Sequence, residues 1–217
     1  MNDINEKSKF RRLEDAESEK KPSLRISHIV YGREKRGTRV VFLVDEKGHG
    51  TKKMISEEVV LYRWRRRKFP GYVFSGARLG PNLWTTLPKL LGSEVSHWLV
   101  LTEEELQRAI ANKKNLTGDV FAKIPAANVL HALLAVCGLE RLNLLVERHR
   151  DHNGKDSHGV PDLFLFAKKV TDGTYTIARF VEVKKPEEPT KGNQHEEIAF
   201  LQSMGLHARV LRLDERD

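Results

Sequence analysis

Two stretches in the last third of the chain are apolar at nearly every position. Residues 160–167 and 175–183 are such runs, joined by a polar turn at 168–174, and they predict adjacent strands covered on both faces. Residues 193–204 repeat apolar positions at helical spacing and stop at Gly205, and residues 207–213 return to strand. Upstream the period is mostly helical. Ser56, Glu57 and Glu58 open a run to Trp64 that must end before Pro70-Gly71. Residues 72–75 predict a short strand before the turn at Gly80-Pro81. Residues 82–91 predict a helix that Pro88 should break or kink. Thr102 with Glu105 makes a capping box for a helix through Ile110, and residues 125–137 and 139–149 predict two helices on either side of Gly138. Nearer the N-terminus, 24–31 and 38–45 are β-branched runs separated by Gly-Arg-Glu-Lys-Arg-Gly, which predicts a β-hairpin.

These elements organise the chain into three parts. Residues 1–22 mix both charge signs with scattered apolar residues, too few to offset chain entropy, and are expected to be a disordered tail. Residues 23–55 form a hairpin extension, and 56–217 form one α/β domain without internal repeats.

Composition narrows the partners. Lysine and arginine number 38 against 30 acidic residues, for a net charge of +8, which suits a polyanion. The excess is concentrated: Arg63, Arg65, Arg66, Arg67 and Lys68 lie within ten residues that hold no acid. They are the candidates to track a nucleic-acid backbone, with Trp64 and Phe69 either stacking on an unpaired base or, for Trp64, buried in the core. Lys113, Lys114 and Arg148 are lesser candidates. Cys137 is the single cysteine, so neither an internal disulfide nor a cysteine-based zinc cluster is available. No apolar run reaches the ~18–20 residues of a membrane span, and the charged start shows no secretory signal. The expectation is a reducing cytoplasm, associated with the nucleoid, or a nucleus; neither membrane attachment nor secretion is expected.

The chemistry gathers near the C-terminus. Cleaving a phosphodiester calls for a metal that neutralises the phosphate and generates hydroxide. Mg²⁺ takes hard oxygen donors, often one or two carboxylates with water. Asp162 follows Pro161 at the start of one apolar strand, and Glu182 and Lys184 stand two apart near the end of the next, so their side chains share a face. Placing charge on a core strand is costly, which argues for a site over an edge-strand ion pair. Asp162, Glu182 and the Val183 carbonyl are the candidate metal ligands, for Mg²⁺ or Mn²⁺; Lys184 would position the attacking water and offset phosphate charge. His149, His152, Asp156 and His158 cluster before the Pro-Asp strand, but the spacing fits no closed zinc site and a polar loop is expected.

The motifs Gly159-Val160-Pro161-Asp162-Leu163 and Val181-Glu182-Val183-Lys184-Lys185-Pro186-Glu187-Glu188, followed by Gln194, Leu201 and Gly205, resemble the VRR-NUC (virus-type replication-repair nuclease) domain of the PD-(D/E)XK nuclease superfamily. The resemblance covers about residues 56–213 and is strongest from 137 onward, where Cys137-Gly138-Leu139-Glu140-Arg141-Leu142 is similar to a helix junction in the Fanconi-anaemia-associated nuclease branch. It implies a restriction-endonuclease-like mixed central sheet flanked by helices, and metal-dependent cleavage of branched, flapped or junction DNA in repair, recombination or mobile-element biology. It implies a supporting role for Gln194 at the metal or phosphate, and is compatible with a homodimer or a larger repair complex. One departure matters. Leu79 stands where long family members carry a helical glutamate. Glu58, or its neighbour Glu57, is the nearest substitute, and Glu147 a second. Lys185 and Glu197 also depart, the latter from a common aromatic. The alternative to a full enzyme is a catalytically weakened DNA-binding module or a subunit of a larger nuclease.

Overall fold

Leu163–Lys169 and Tyr175–Lys184 form an antiparallel pair that is buried along most of its length, so both strands lie inside a sheet covered on two sides. A computed structural model of the chain describes residues 23–25, 29–33, 39–44, 50–92, 94–117, 124–150, 159–185 and 188–214. In chain order the strands are β1 (Ser23–Arg25), β2 (Ile29–Arg33), β3 (Arg39–Val44), β4 (Gly50–Met54), β5 (Tyr72–Arg78), β6 (Leu163–Lys169), β7 (Tyr175–Lys184) and β8 (Ala208–Asp214). The helices are α1 (Ser56–Arg65), α2 (Leu83–Leu91), α3 (Val95–Trp98), α4 (Glu103–Thr117), α5 (Ala127–Arg150) and α6 (Gly192–Ser203).

A five-stranded mixed sheet runs β1-β8-β7-β6-β5, parallel from β1 to β7 and antiparallel from β7 to β5. A separate antiparallel sheet holds β2-β3-β4. The period-2 alternation of the central strands divides the core. Leu163, Leu165, Val181, Val183, Leu211 and Leu213 meet Val59, Val60 and Trp64 of α1. On the opposite face, Phe164, Phe166, Phe180 and Ala208 meet side chains such as Trp84, Leu130, Leu145 and Leu201 from the remaining helical layer. Each fully buried leucine or phenylalanine contributes roughly 1.5–3 kcal/mol, so these two clusters hold the sheet rigid beneath the site. Trp64 fastens α1 to the outer strands: its indole N–H donates to the Ser75 and Phe166 carbonyls at 2.9 and 3.1 Å.

The α/β expectation and the restriction-endonuclease-like sheet are borne out, with differences that have physical causes. The run at 24–31 is divided between two sheets. β2 and β3 form the expected hairpin, whereas β1 pairs with β8 in the central sheet, a long-range parallel pairing that local pattern does not encode. A third strand, Gly-Thr-Lys-Lys-Met, joins that hairpin although it lacks an apolar period. The strand expected at 72–75 extends to Arg78. Pro88 sits inside α2 without ending it, and the helix terminates at Gly92, whose N–H donates to the Pro88 carbonyl. The Thr102–Glu105 capping box forms, with the Thr102 N–H donating to Glu105 at 2.7 Å and the Glu105 N–H to Thr102 Oγ1 at 3.2 Å. Gly138, at φ 69° and ψ 175°, breaks α5 where two helices were expected. By length and mean composition alone α5 passes for a membrane span, although Glu140 and Arg141 interrupt its apolar run. Its apolar side chains, among them Leu130, Leu133, Leu142 and Leu145, instead line the helical face of the core. The tail at residues 1–22 lies outside the described residues.

Candidate active site

Asp162 immediately precedes β6 and lies across from the residue that follows β5. The Leu79 N–H donates to the Asp162 carbonyl at 2.8 Å, extending the β5–β6 ladder by one step. On the neighbouring strand, Glu182 and Lys184 occupy alternate positions at the end of β7 and so face the same way. The Val183 N–H donates to Asp162 Oδ2 at 2.8 Å, which sets the aspartate beside the peptide between those two side chains. Glu182 Oε1 accepts from Lys184 Nζ at 3.0 Å and from the side-chain amide of Gln194, in the first turn of α6. Gln194 Oε1 accepts the Lys191 N–H at 2.9 Å, which fixes the end of the amide that faces Glu182. Asp162, Glu182, Val183, Lys184 and Gln194 are thereby brought together.

The electrostatics are those of a site short of positive charge. Glu182 and Lys184 are each only 3% exposed. Burial, and then the neighbouring Glu182 charge, push the Asp162 carboxyl up to about 7, against the Val183 N–H and Lys184, which favour its ionised form. Burial also raises Glu182, opposed by its bond to Lys184. For Lys184, burial favours the neutral amine, but bonding and attraction to Glu182 and then Glu188 outweigh it and the pKa rises. Two crowded carboxylates beside a peptide carbonyl suit a hard divalent cation, whose charge would relieve their repulsion. Among the described residues no group of three or more His, Cys, Asp or Glu is placed to hold a metal. Among those residues the acidic donors are therefore the pair alone, the number Mg²⁺ commonly takes from protein.

The candidates for a further acid are separated by the fold. Glu58 is exposed, and its carboxylate turns back to accept the Ile55 N–H at 3.3 Å. Glu57, one position earlier and half-buried, adds a smaller upward push to the Asp162 carboxyl than Glu182 does. Leu79 is buried in the helical-side core, and Glu147 is exposed on α5.

Sequence reasoning missed the device that holds Lys184. Glu188 accepts from Lys184 Nζ at 3.5 Å and from the Lys185 N–H at 3.2 Å. Arg212, in register with Lys184 on β8, donates to the Lys185 and Glu188 carbonyls at 3.0 and 2.8 Å. Glu188 was visible as the last residue of the second motif, but no local signal marks Arg212.

The basic cluster surrounds the far end of α1. At ~1.5 Å per residue, Arg65 lies about 12 Å along the helix from Glu57. Arg65, Arg66, Arg67 and Lys68 are exposed, while Arg63 is half-buried, with its pKa lowered by burial and then by Arg67. Arg65 donates to the Gly76 carbonyl at 2.6 Å, Arg66 to the Tyr62 hydroxyl at 2.6 Å, and the Arg67 guanidinium lies 4.9 Å from the Trp64 ring centroid. Trp64 is a core residue with its indole N–H engaged, so base stacking by it is corrected; Phe69 packs on Tyr72 with centroids 5.5 Å apart. Arg148 and His149 bind Glu197 at 2.9 Å each. His152, Asp156 and His158, and the side chains of Lys113 and Lys114, lie outside the described residues.

No curated protein sequence matches the chain. A crystal structure of paFAN1 bound to DNA with a 2-nucleotide 5′ flap and a gap is similar at TM-score 0.54 and 16% identity, over 74% of this chain and 35% of that one. A second, of paFAN1 bound to DNA with a 1-nucleotide 5′ flap and a gap, gives TM-score 0.45 and 17% identity over 77% and 36%. The chain thus spans about a third of the length of the solved structures it matches, and the first likeness is one of fold. The VRR-NUC domain profile matches residues 101–214, a span that takes in the Pro-Asp strand, the Glu-Val-Lys strand and the Gln194 helix but leaves α1 and β5 outside. With both motifs in register inside that span, and their side chains converging at one end of the sheet, the chain belongs to the VRR-NUC domain family.

Proposed function

We propose that the chain hydrolyses phosphodiester bonds in DNA with a bound Mg²⁺ or Mn²⁺, and that its substrates are flapped, branched or junction DNA. The observation that carries this reading is the Val183 N–H to Asp162 Oδ2 bond, which brings the two carboxylates to the peptide beside Lys184. Asp162, Glu182 and the Val183 carbonyl would hold the ion. The ion would supply phosphate neutralisation and a more acidic attacking water. Lys184 offers an ammonium to the water or the phosphate, and Gln194 orients Glu182. Of the two acids that open α1, Glu57 is the one whose charge is felt at Asp162, as a smaller upward push on its carboxyl than that of Glu182. Substrate class is suggested by the 5′-flap DNA in the paFAN1 complex and by the exposed cations from Arg65 to Lys68.

Incubation of the protein with 5′-flap, forked and duplex DNA and with single-stranded RNA, in Mg²⁺ or Mn²⁺, tests the reading. Cleavage of flapped DNA that EDTA stops supports it. Absence of product with either metal, or cleavage of RNA alone, contradicts it.

A second reading, a nuclease-like DNA-binding module without turnover, is favoured by one observation. Leu79, which stands where long family members place an acid, is 8% exposed and hydrogen-bonded to Asp162 through its backbone. It predicts salt-sensitive binding of flapped DNA without product, and gain of cleavage in Leu79→Glu.

A further inference from the structure

Glu197 is fully buried, which places a carboxyl group where α6 packs against α5. Both of its oxygens are bonded. Arg148 Nε donates to Oε2 and His149 Nε2 to Oε1, each at 2.9 Å, and the Arg148 guanidinium also lies 4.4 Å from the Phe200 ring centroid. Burying a carboxylate against a partly exposed guanidinium costs it its hydration, and apolar packing of similar volume is often as stable. A reason for keeping the pair lies one turn away. Positions 194, 197, 198 and 201 share one face of α6, and that face carries Gln194, the clamped Glu197 and the core residues Ile198 and Leu201. The rotation of α6 that seats Glu197 on Arg148 and His149 is therefore the rotation that aims the Gln194 amide at Glu182.

A second contact fixes the same residue along the helix axis. Gly159, three positions before Asp162, has φ +44°, and a Cβ there would stand 2.9 Å from Gln194 Cα and 3.0 Å from the Asn193 carbonyl oxygen. The approach to the Pro-Asp strand thus runs directly against the first turn of α6, and only glycine leaves the room. Arg148 and His149 lie in the last turn of α5, so the clamp ties the helix before the Pro-Asp motif to the helix after the Glu-Val-Lys motif.

We infer that Glu197, bonded to Arg148 and His149, is a positioning residue that sets the register of α6 so that Gln194 holds Glu182 in place. Its consequence for turnover rests on the nuclease reading above; its consequence for Gln194 does not.

The test is a substitution cycle of Glu197→Gln, Gln194→Ala and the double variant, with two readouts. The first is the NMR signal of the Gln194 side-chain amide in metal-free protein, which needs neither metal nor activity. The inference expects the wild-type signal to be displaced and protected by its Glu182 bond, and to relax to that of a solvated amide in Glu197→Gln. The second is kcat on flapped DNA. Glu197→Gln should lower it about tenfold in the wild-type background and less than about twofold in Gln194→Ala, because residues acting through one another are not additive. An unchanged Gln194 signal, or an equal loss of kcat in both backgrounds, overturns the inference. If the wild-type protein cleaves nothing, the nuclease reading fails and the amide signal still decides the clamp. If Glu197→Gln does not fold, Arg148→Met, whose side chain is partly exposed, is carried through the same cycle.

Discussion

The backbone N–H of Val183 and the carboxylate of Asp162 lie 2.8 Å apart, a contact between residues from different strands that draws a carboxyl with a pKa of about 7 toward the Glu182–Lys184 pair. The aspartate is held by a neutral donor, while burial and the Glu182 charge oppose its ionisation. Metal-free protein should therefore be destabilised at this point when both acids are charged.

Asp162→Asn keeps an acceptor for the Val183 N–H and removes the charge. Because the folded-state pKa is raised, the folded protein holds this proton more tightly than the unfolded chain, and wild-type stability falls as pH climbs from about 4 to about 7. In EDTA the variant should melt above wild type at about pH 8 and close to it at about pH 4. Mg²⁺ should raise the wild-type Tm more than the variant's, since it binds the folded site. A variant that melts lower than wild type at the higher pH contradicts a raised Asp162 pKa.

Gln194→Ala removes the amide that bonds Glu182 without touching the acids. Partners of metal ligands typically contribute about 10–100-fold to affinity or activity, so kcat should drop within that range while DNA affinity holds. Filter binding beside single-turnover cleavage separates the two. Loss of DNA binding with kcat intact would move Gln194 out of the site.

Gly159→Ala meets a different obstacle. Its φ of +44° and the 2.9 Å approach to Gln194 Cα leave no place for a methyl group. Urea unfolding should show a loss of about 1–3 kcal/mol, the range for a residue forced into that backbone region. An unchanged midpoint would contradict the packing described.

The basic end of α1 divides by structure. Lys68 is exposed, so Lys68→Ala should flatten the salt dependence of DNA binding by about 0.9 per lost phosphate contact and leave Tm alone. Arg65 bonds the Gly76 carbonyl on the outer strand, so Arg65→Ala should lower both affinity and Tm. Equal Tm losses in the two variants would show that neither distinction holds.

How far the sequence reaches depends on whether the information is local. The central strands were legible because a nearly unbroken apolar run tolerates charges such as Glu182 and Lys184 only where they have work to do, and Gly138 and the Thr102–Glu105 box are local backbone signals. The division of 24–31 between two sheets was not legible, because β1 is placed by pairing with β8 near the other end of the chain. Glu57 and Glu58 differ by one helical step of about 100°, and only the packing of α1 decides which of their charges is felt at Asp162. Glu197 stands out in the sequence only as a departure from a common aromatic, and its partners Arg148 and His149 become visible only in the fold. Arg212 likewise acquires its task only through the register of β7 with β8.

Whether the Asp162–Glu182–Lys184 constellation cuts DNA with a bound metal is decided by single-turnover cleavage of a 5′-flap duplex in Mg²⁺ by wild type and by Asp162→Ala, with flap affinity measured in parallel. Wild type should cleave until EDTA stops it. The variant should be slower by at least about a thousandfold, a loss of roughly 4 kcal/mol of transition-state stabilisation, with its affinity for the flap retained. Cleavage by Asp162→Ala at the wild-type rate would rule out this constellation as the catalytic centre.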